Sequence, residues 1–182
     1  MILSKSIILS EIQKGNIIAS GVEEAQIKDQ SIDVSLGRYL YVHSERGNLI
    51  KIVDLEESPY YEAMPGMFII AHTDEFVGTT AGSNIIPSFK LKSSAGRLGI
   101  IHTLAGHGEV GFFNRWAMEF IVAKPVVLKH KALIGQIYFQ SVLGDKEDYS
   151  KQGTYQKTNN LEELIRDWTP DSLLPPKELK IK

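Results

Sequence analysis

The sequence contains no cysteine among its 182 residues. Such a chain forms no disulfide, offers no thiol nucleophile and supplies no thiolate for a zinc site. An excess of charge is also absent, because 20 Lys and Arg against 22 Asp and Glu give a net charge of −2, which argues against a nucleic-acid binder. The apolar runs are short, and Trp116–Ala123 contains Glu119, so no membrane span is predicted. The first residues lack the apolar stretch of a signal peptide, and we therefore expect a cytoplasmic protein.

Histidine is the other frequent metal ligand, and its positions show no ligand spacing. The five histidines form no HxH or HxxxH pair, so the sequence predicts no protein-bound metal; they are His43, His72, His102, His107 and His130. Hydrophobic residues make up 43% and charged residues 23% of the chain, which are ordinary globular values. A length of 182 residues suits one domain.

The spacing of apolar residues predicts a short helix followed by many strands. Ser4 is expected to cap a helix over Lys5–Lys14, which Gly15 ends. From Ser31 onward the segments are short, rich in β-branched and aromatic residues, and separated by turn residues such as Arg46-Gly47-Asn48. They predict a mainly β fold, a distorted barrel or jelly roll, in which Pro87 marks an edge strand or a bulge. The predicted strands are Ser31–Leu36, Arg38–Val42, Leu49–Val53, Met67–Ala71, Ile85–Leu91, Arg115–Val122, Val126–Leu128 and Ile134–Val142.

The last forty residues differ in composition, and we divide the chain into a barrel unit over 1–143 and a C-terminal arm and helix over 144–182. Gly144–Lys157 is polar and without periodicity, which predicts a mobile arm. Asn160 is expected to cap a helix over Leu161–Trp168, with Glu163 completing a capping box. Pro170, Pro175 and Pro176 are expected to keep the tail extended. This helix is expected to pack on the body or on a neighbouring subunit.

The segment Lys92–Gly99 combines two cations, two hydroxyls and two glycines in eight residues. Small residues let backbone N–H groups approach an anion, and the guanidinium of Arg97 can hold phosphate oxygens in a fork. The segment therefore predicts a phosphate-binding turn. A Ser/Gly turn with solvated basic residues explains the same pattern.

Glu119 lies in a strand whose two faces can be read from the alternation. Trp116, Met118 and Phe120 share one face, whereas Ala117, Glu119 and Ile121 share the other. The apolar neighbours of the carboxylate predict partial burial, which raises the pKa of a glutamate and suits a proton carrier. An outward-facing strand residue, or one half of an ion pair, is the alternative.

A glycine-rich turn precedes this strand. Gly106, Gly108 and Gly111 predict a tight turn where another group approaches the backbone. Within it, Glu109 is placed to accept from a sugar hydroxyl and Phe112 to stack on a ring. A hairpin loop whose phenylalanines belong to the core is the alternative.

The order of these pieces resembles the dCTP deaminase family, the deaminating branch of the trimeric dUTPase superfamily. The matching pieces are QSIDVSLG, SSAGRLG, HTLAGHGEVGF, AMEF, IGQIYF and GTYQ. The resemblance implies a dUTPase-like fold and a homotrimer with active sites at subunit interfaces. It implies that dCTP is hydrolysed to dUTP and ammonia, which supplies dUTP for dTTP synthesis, with Mg²⁺ bound to the triphosphate and no zinc. The alternatives are a dUTP diphosphatase, a bifunctional enzyme that releases dUMP and pyrophosphate, and a nucleotide-binding module without catalysis.

The resemblance also implies roles for individual residues. Glu119 would be the general acid and base, assisted by Ser93 and Arg97. Substrate contacts would come from the turn, the glycine-rich loop, the backbone of β-strand residues and the arm; they are Lys92, Ser94, Ala95, Gly96, Glu109, Ala117, Met118, Gln136, Tyr149 and Gln156. The sequence departs from the family pattern at Lys92 (usually arginine), Thr154 (usually lysine) and Glu109 (usually aspartate). The longer Glu109 side chain disfavours diphosphate hydrolysis.

Overall fold

The computed structural model describes residues 1–43, 50–156 and 158–175. The helices are α1 Lys5–Gln13, α2 Ser93–Arg97, α3 Tyr149–Gln152 and α4 Leu161–Asp167, with 3₁₀ turns at Glu24–Gln26 and Pro170–Leu173. The strands are β1 Ile17–Ser20, β2 Ser31–Ser35, β3 Tyr39–His43, β4 Ile50–Asp54, β5 Tyr61–Ala63, β6 Phe68–His72, β7 Phe76–Thr79, β8 Ile85–Leu91, β9 Ile100–His102, β10 Phe113–Asn114, β11 Ala117–Val122, β12 Val126–Leu128 and β13 Leu133–Ser141.

The predicted mainly β fold with helices near both termini is confirmed. Antiparallel pairing joins the strands into separate sheets with the orders β4-β3-β6-β11-β9, β2-β13-β8, β1-β7-β10 and β12-β5. Within the described residues none of these sheets closes on itself, so the barrel is distorted rather than continuous. The strand β8, which contains Pro87, lies at an edge of its sheet, as a proline without an amide hydrogen requires.

Every strand predicted from periodicity has a counterpart, whereas β1, β5, β7, β9 and β10 were not predicted. These strands are two to four residues long. Strands this short display little alternation. The three-residue β12 was predicted from its β-branched residues, whereas these five strands form because a partner distant in sequence pairs with them. The predicted turn at Arg46-Gly47-Asn48 lies outside the described residues.

The N-terminal helix forms, but its predicted cap is wrong. Ser4 occupies the N-cap position of α1, yet its side chain makes no capping bond and its Oγ lies 3.1 Å from Ser6 Oγ. The helix also ends one residue earlier than predicted, at Gln13. Among the helices of the described residues, none has the length and apolar composition that crossing a membrane requires.

The C-terminal helix α4 is capped as predicted, by Asn160. Its Oδ1 accepts from the backbone N–H groups of Glu162 at 2.9 Å and Glu163 at 3.3 Å. The predicted capping box is wrong, because the Glu163 carboxylate accepts instead from Thr158 Oγ1 at 2.7 Å. The predicted extended tail is corrected at Pro170, which starts a 3₁₀ turn; Pro176 and Lys157 lie outside the described residues.

His72 is fully buried where β6 meets the end of β2, and its ring explains a glycine of the sequence. A Cβ at Gly37 would lie 2.1 Å from His72 Cε1, so only glycine fits there. His72 Nδ1 lies 2.8 Å from Thr73 O, and Nε2 accepts from Tyr39 N at 3.1 Å, which assigns the ring proton to Nδ1. Burial lowers the pKa of His72 to about 4.

This depressed pKa predicts acid sensitivity. In the unfolded chain His72 titrates near 6.5, whereas the folded chain leaves the ring neutral until about pH 4. Between those values the unfolded state binds more protons, so the free energy of unfolding falls as the pH falls. From pH 7.5 to pH 5 this group should account for a loss of about 2 kcal/mol. Urea unfolding of wild type and of His72→Gln checks this, since the variant should lose that part of the dependence; equal pH slopes would contradict it.

Candidate active site

Strand β11 places Glu119 as the alternation predicted. Trp116, Met118 and Phe120 are buried in the core, whereas Ala117 and Glu119 are only half-buried on the opposite face. The face of Glu119 is therefore neither core nor open surface. Across the sheet Glu119 pairs with Ile70 of β6, which keeps an apolar side chain beside the carboxylate.

Glu119 lines a cavity of about 600 Å³ together with Ala117, Glu109 and Tyr149 from the predicted site. Its Oε2 is buried and has no hydrogen-bond partner among the described residues. Burial raises the pKa of Glu119, as the apolar neighbours predicted. A carboxylate oxygen with an unused lone pair inside a cavity is placed to accept a proton from a molecule bound there.

The glycine-rich turn forms one wall of this cavity. Its glycines allow the backbone of the turn to lie directly against the core. A Cβ at Gly108 would lie 2.8 Å from Trp116 Cη2, and one at Gly106 would lie 2.5 Å from Phe89 O. The turn is therefore pressed against the core, which brings Glu109 to the cavity with an exposed side chain. Phe112 also lines the cavity and packs its ring edge against Trp116, with centroids 4.9 Å apart.

The polar arm is folded against the body, where Tyr149 N donates to Val110 O at 3.0 Å. The Tyr149 ring lies on the cavity wall and meets Phe112 edge-on at 5.4 Å between centroids. Gln156 is buried and both ends of its amide are used: Oε1 accepts from Phe113 N at 2.8 Å, and Nε2 donates to Gly111 O at 2.9 Å. In this chain Gln156 therefore joins the arm to the turn after Glu109.

The predicted phosphate-binding turn, Lys92–Gly99, does not belong to the Glu119 cavity. It forms the single-turn helix α2 after β8, with Ser93, Ser94 and Arg97 exposed. None of the residues Lys92–Arg97 lines the Glu119 cavity. Ala95 is buried beneath the turn, whereas Gly96 is exposed with nothing within 4 Å of an added Cβ.

Lys92 and Gln136 meet through a residue that was not predicted. Asp33 of β2 is almost fully buried and pairs through Oδ2 with Lys92 Nζ at 2.5 Å. Its Oδ1 accepts from Gln136 Nε2 at 2.9 Å. Asp33 belongs to the QSIDVSLG segment that carried part of the resemblance, so its motif position was the available signal.

The chain thus carries two separate groups of predicted residues. Glu119, Ala117, Glu109 and Tyr149 share one cavity, whereas Lys92, Ser93, Ser94, Ala95, Gly96 and Arg97 lie at the end of β8 near Gln136. Met118 places its side chain in the core, which leaves only its backbone for a ligand. Arg115 and Trp168 also line the cavity, although no sequence motif pointed to either residue.

Comparison with known proteins decides the family. The model of the dCTP deaminase-like family matches residues 2–142. The chain belongs to the dCTP deaminase-like family. One relative is a Clostridium beijerinckii protein named "dCTP deaminase, dUMP-forming". It is 32% identical to this chain over 169 residues, and the match covers 89% of this chain and 94% of the relative. One of the same name from Leptospira biflexa is 31% identical over 148 residues, covering 77% and 82%.

The fold of this dCTP deaminase-like chain is also found in a solved structure. The crystal structure of 2'-deoxycytidine 5'-triphosphate deaminase from Agrobacterium tumefaciens superposes with a TM-score of 0.62 at 20% sequence identity. The match covers 77% of this chain and 48% of that chain, so the present chain spans about half of its length. The likeness establishes the dUTPase-like fold predicted from the motifs.

Proposed function

We propose that this chain catalyses the hydrolytic deamination of dCTP and continues to dUMP. The observation that carries the proposal is Glu119, whose half-buried carboxylate faces a cavity large enough for a nucleoside and has an unpartnered oxygen. The names of the relatives support the substrate and the second step.

In the proposed mechanism Glu119 moves protons and forms no covalent bond. Burial raises the pKa of Glu119, which suits a proton carrier, and in its ionised form the carboxylate accepts a proton from water as the water oxygen bonds to C4 of cytosine. Glu119 delivers that proton to N3, then takes the proton of the new C4 hydroxyl and passes it to the amino group. The C4–N bond breaks, ammonia leaves and the C4 carbonyl forms. Cytosine plus water thus gives uracil plus ammonia. Hydrolysis of the α–β phosphate bond would then yield dUMP and pyrophosphate.

We propose that the second half of the site comes from a neighbouring subunit of a homotrimer. Ser93 and Arg97 are exposed and outside the Glu119 cavity of their own chain, so a neighbour is needed to bring them to it. Ile101 and Ile121 pair across β9 and β11 and are 54% and 42% exposed, an apolar patch two residues beyond Glu119 that a second copy would cover. Mg²⁺ would enter with the triphosphate.

Mixing inactive variants tests the shared site. Glu119→Gln and Arg97→Ala should each be inactive alone. After unfolding and refolding together at equal ratio, a closed three-fold ring with sites between neighbours should recover about a quarter of wild-type activity. Each variant refolded by itself is the control. Zero recovery in the mixture, or full activity from a monomeric wild type in sedimentation, would contradict the shared site.

The identity of the product separates two candidate functions. The relatives' names favour dUMP, whereas Glu109, one methylene longer than aspartate and exposed at the cavity, favours release of dUTP after deamination.

Incubation of wild type with dCTP and Mg²⁺ should release ammonia and pyrophosphate in equal amounts, with dUMP as the nucleotide seen by chromatography. dUTP supplied alone is the control for an independent diphosphatase. Accumulation of dUTP without pyrophosphate would select simple deamination, and no ammonia at all would reject the enzyme proposal.

A further inference from the structure

Arg115 lines the Glu119 cavity, although no sequence motif assigned it a role. It lies four residues before Glu119, so the two Cα atoms are no more than about 13 Å apart along an extended chain. Ala117 lies midway and lines the same cavity. An acid and a cation therefore flank the space next to Ala117.

Packing holds the guanidinium of Arg115 in place. Its Cζ lies 4.9 Å from the ring centroids of both Phe76 and Trp168. Its Nη1 lies 3.3 Å from Asp74 Oδ1, an oxygen that also lies 3.1 Å from His130 Nε2. Aromatic stacking and one ion pair fix the plane of the group before any ligand binds, which lowers the entropy lost on binding.

Several donors of Arg115 remain unused. Nη1 makes only long contacts, to Asp74 Oδ1 at 3.3 Å and to Thr73 O at 3.4 Å. Its approach to His72 Nδ1 is not a hydrogen bond, because that nitrogen carries the ring proton. Within the described residues Nε has no partner and Nη2 makes no hydrogen bond. Nε is buried, whereas the side chain as a whole is 22% exposed and lines the cavity, which leaves the Nη atoms for an acceptor there.

The charges around the cavity require such a donor if the ligand is a polyanion. Among the described lining residues Arg115 is the one lysine or arginine, whereas Glu109 and Glu119 contribute two carboxylates. Without Arg115, the two carboxylates would disfavour a phosphate, and His43 and His107 would be the remaining basic side chains in the described lining. The cations of α2 lie outside this cavity of the same chain.

We propose that Arg115 binds a phosphate group of the nucleotide whose base lies at Glu119. The inference rests on the proposed function, since it takes a nucleotide as the ligand. It gives Arg115 a task distinct from that of Lys92 and Arg97, because Arg115 lies on the same wall as the catalytic acid. Fixed guanidinium groups with free donors bind phosphate oxygens through short, charge-assisted hydrogen bonds.

Calorimetric binding with Arg115→Met tests the proposal. The methionine keeps an apolar stem between Phe76 and Trp168 but removes the charge. In a Glu119→Gln background, where dCTP turnover should be about 10³-fold slower, the Kd for dCTP and for inorganic tripolyphosphate should rise at least about tenfold, and that for deoxycytidine should change less than about twofold. Arg115→Lys should recover part of the loss. Arg166→Met, the same change at an exposed arginine outside the cavity, should bind all three ligands as the background does.

The outcomes separate a ligand contact from a structural role. If Arg115 served only to hold Trp168, Arg115→Met and Trp168→Ala would weaken deoxycytidine and dCTP equally, which would overturn the inference, as would an unchanged Kd for dCTP. Ammonia release from dCTP by the wild type is measured in parallel. Turnover with unchanged binding in Arg115→Met would leave the proposed function and remove this inference. If Arg115→Met lost affinity only for the phosphorylated ligands and the wild type released no ammonia, this inference would stand and the proposed function would be rejected.

Discussion

Glu119→Gln should lower kcat for dCTP deamination by about 10³-fold, because it removes the carboxylate that we propose to move protons between water, N3 and the leaving amine. The amide has the shape of the carboxyl group, so KM should change little and the loss should fall on kcat. Ammonia release at saturating dCTP is the measurement. A variant that retains a tenth of the wild-type kcat would contradict a proton-carrying role.

The stability of Glu119→Gln shows whether a loss of kcat comes from unfolding of the variant. Burial raises the pKa of Glu119, so ionisation of this carboxyl favours the unfolded state as the pH rises through its titration. The glutamine variant does not ionise and should therefore be at least as stable as wild type at pH 7.5. Val127→Gln, a polar substitution at a 50% exposed position of β12 that does not line the cavity, is the matched control and should leave kcat unchanged.

Gly37→Ala should lower the free energy of unfolding by more than about 3 kcal/mol, because the new methyl group overlaps a ring that cannot move. The added Cβ would lie 2.1 Å from Cε1 and 2.2 Å from Nδ1 of His72. That ring is fully buried, both nitrogens are hydrogen-bonded, and Trp168 packs against it with centroids 4.6 Å apart. Any shift of the ring therefore breaks hydrogen bonds and disturbs the cavity wall.

Gly82→Ala is the matched control for Gly37→Ala. Nothing lies within 4 Å of a Cβ added at Gly82, and its φ is not in the left-handed region. Its stability in urea unfolding should stay within about 0.5 kcal/mol of wild type. Equal midpoints for the two alanine variants would show that the His72 ring yields.

The C-terminal part of the cavity wall was predicted from the sequence as a helix but not in its contacts with the sheet. Trp168 and Leu173 line the cavity, and Leu173 is buried against Tyr41 and Ile70. Tyr41 OH donates to Asp171 Oδ1 at 2.6 Å, which ties the 3₁₀ turn to the sheet. The sequence predicted the helix before this segment from its Asn160 cap. The sequence also predicted that this helix packs on the body or on a neighbouring subunit. It could not predict the contact points, because the partners are about 130 residues away and the local pattern contains no trace of them.

Local patterns were sufficient wherever the physics is local. The alternation along β11 predicted the half-buried face of Glu119 and the direction of its pKa shift, because Ala117 and Ile121, two residues away on either side, share that face. The order of short motifs was enough to predict the family, and the density of short β-rich segments the fold class.

Tertiary structure alone decided what surrounds the acid. It separated Ser93 and Arg97 from Glu119 within the chain, paired Lys92 with Asp33, and set Arg115 between Phe76 and Trp168 at the cavity. These contacts join strands and segments that are distant in sequence. Their geometry follows from how the sheets pack, and no periodicity within one segment encodes it.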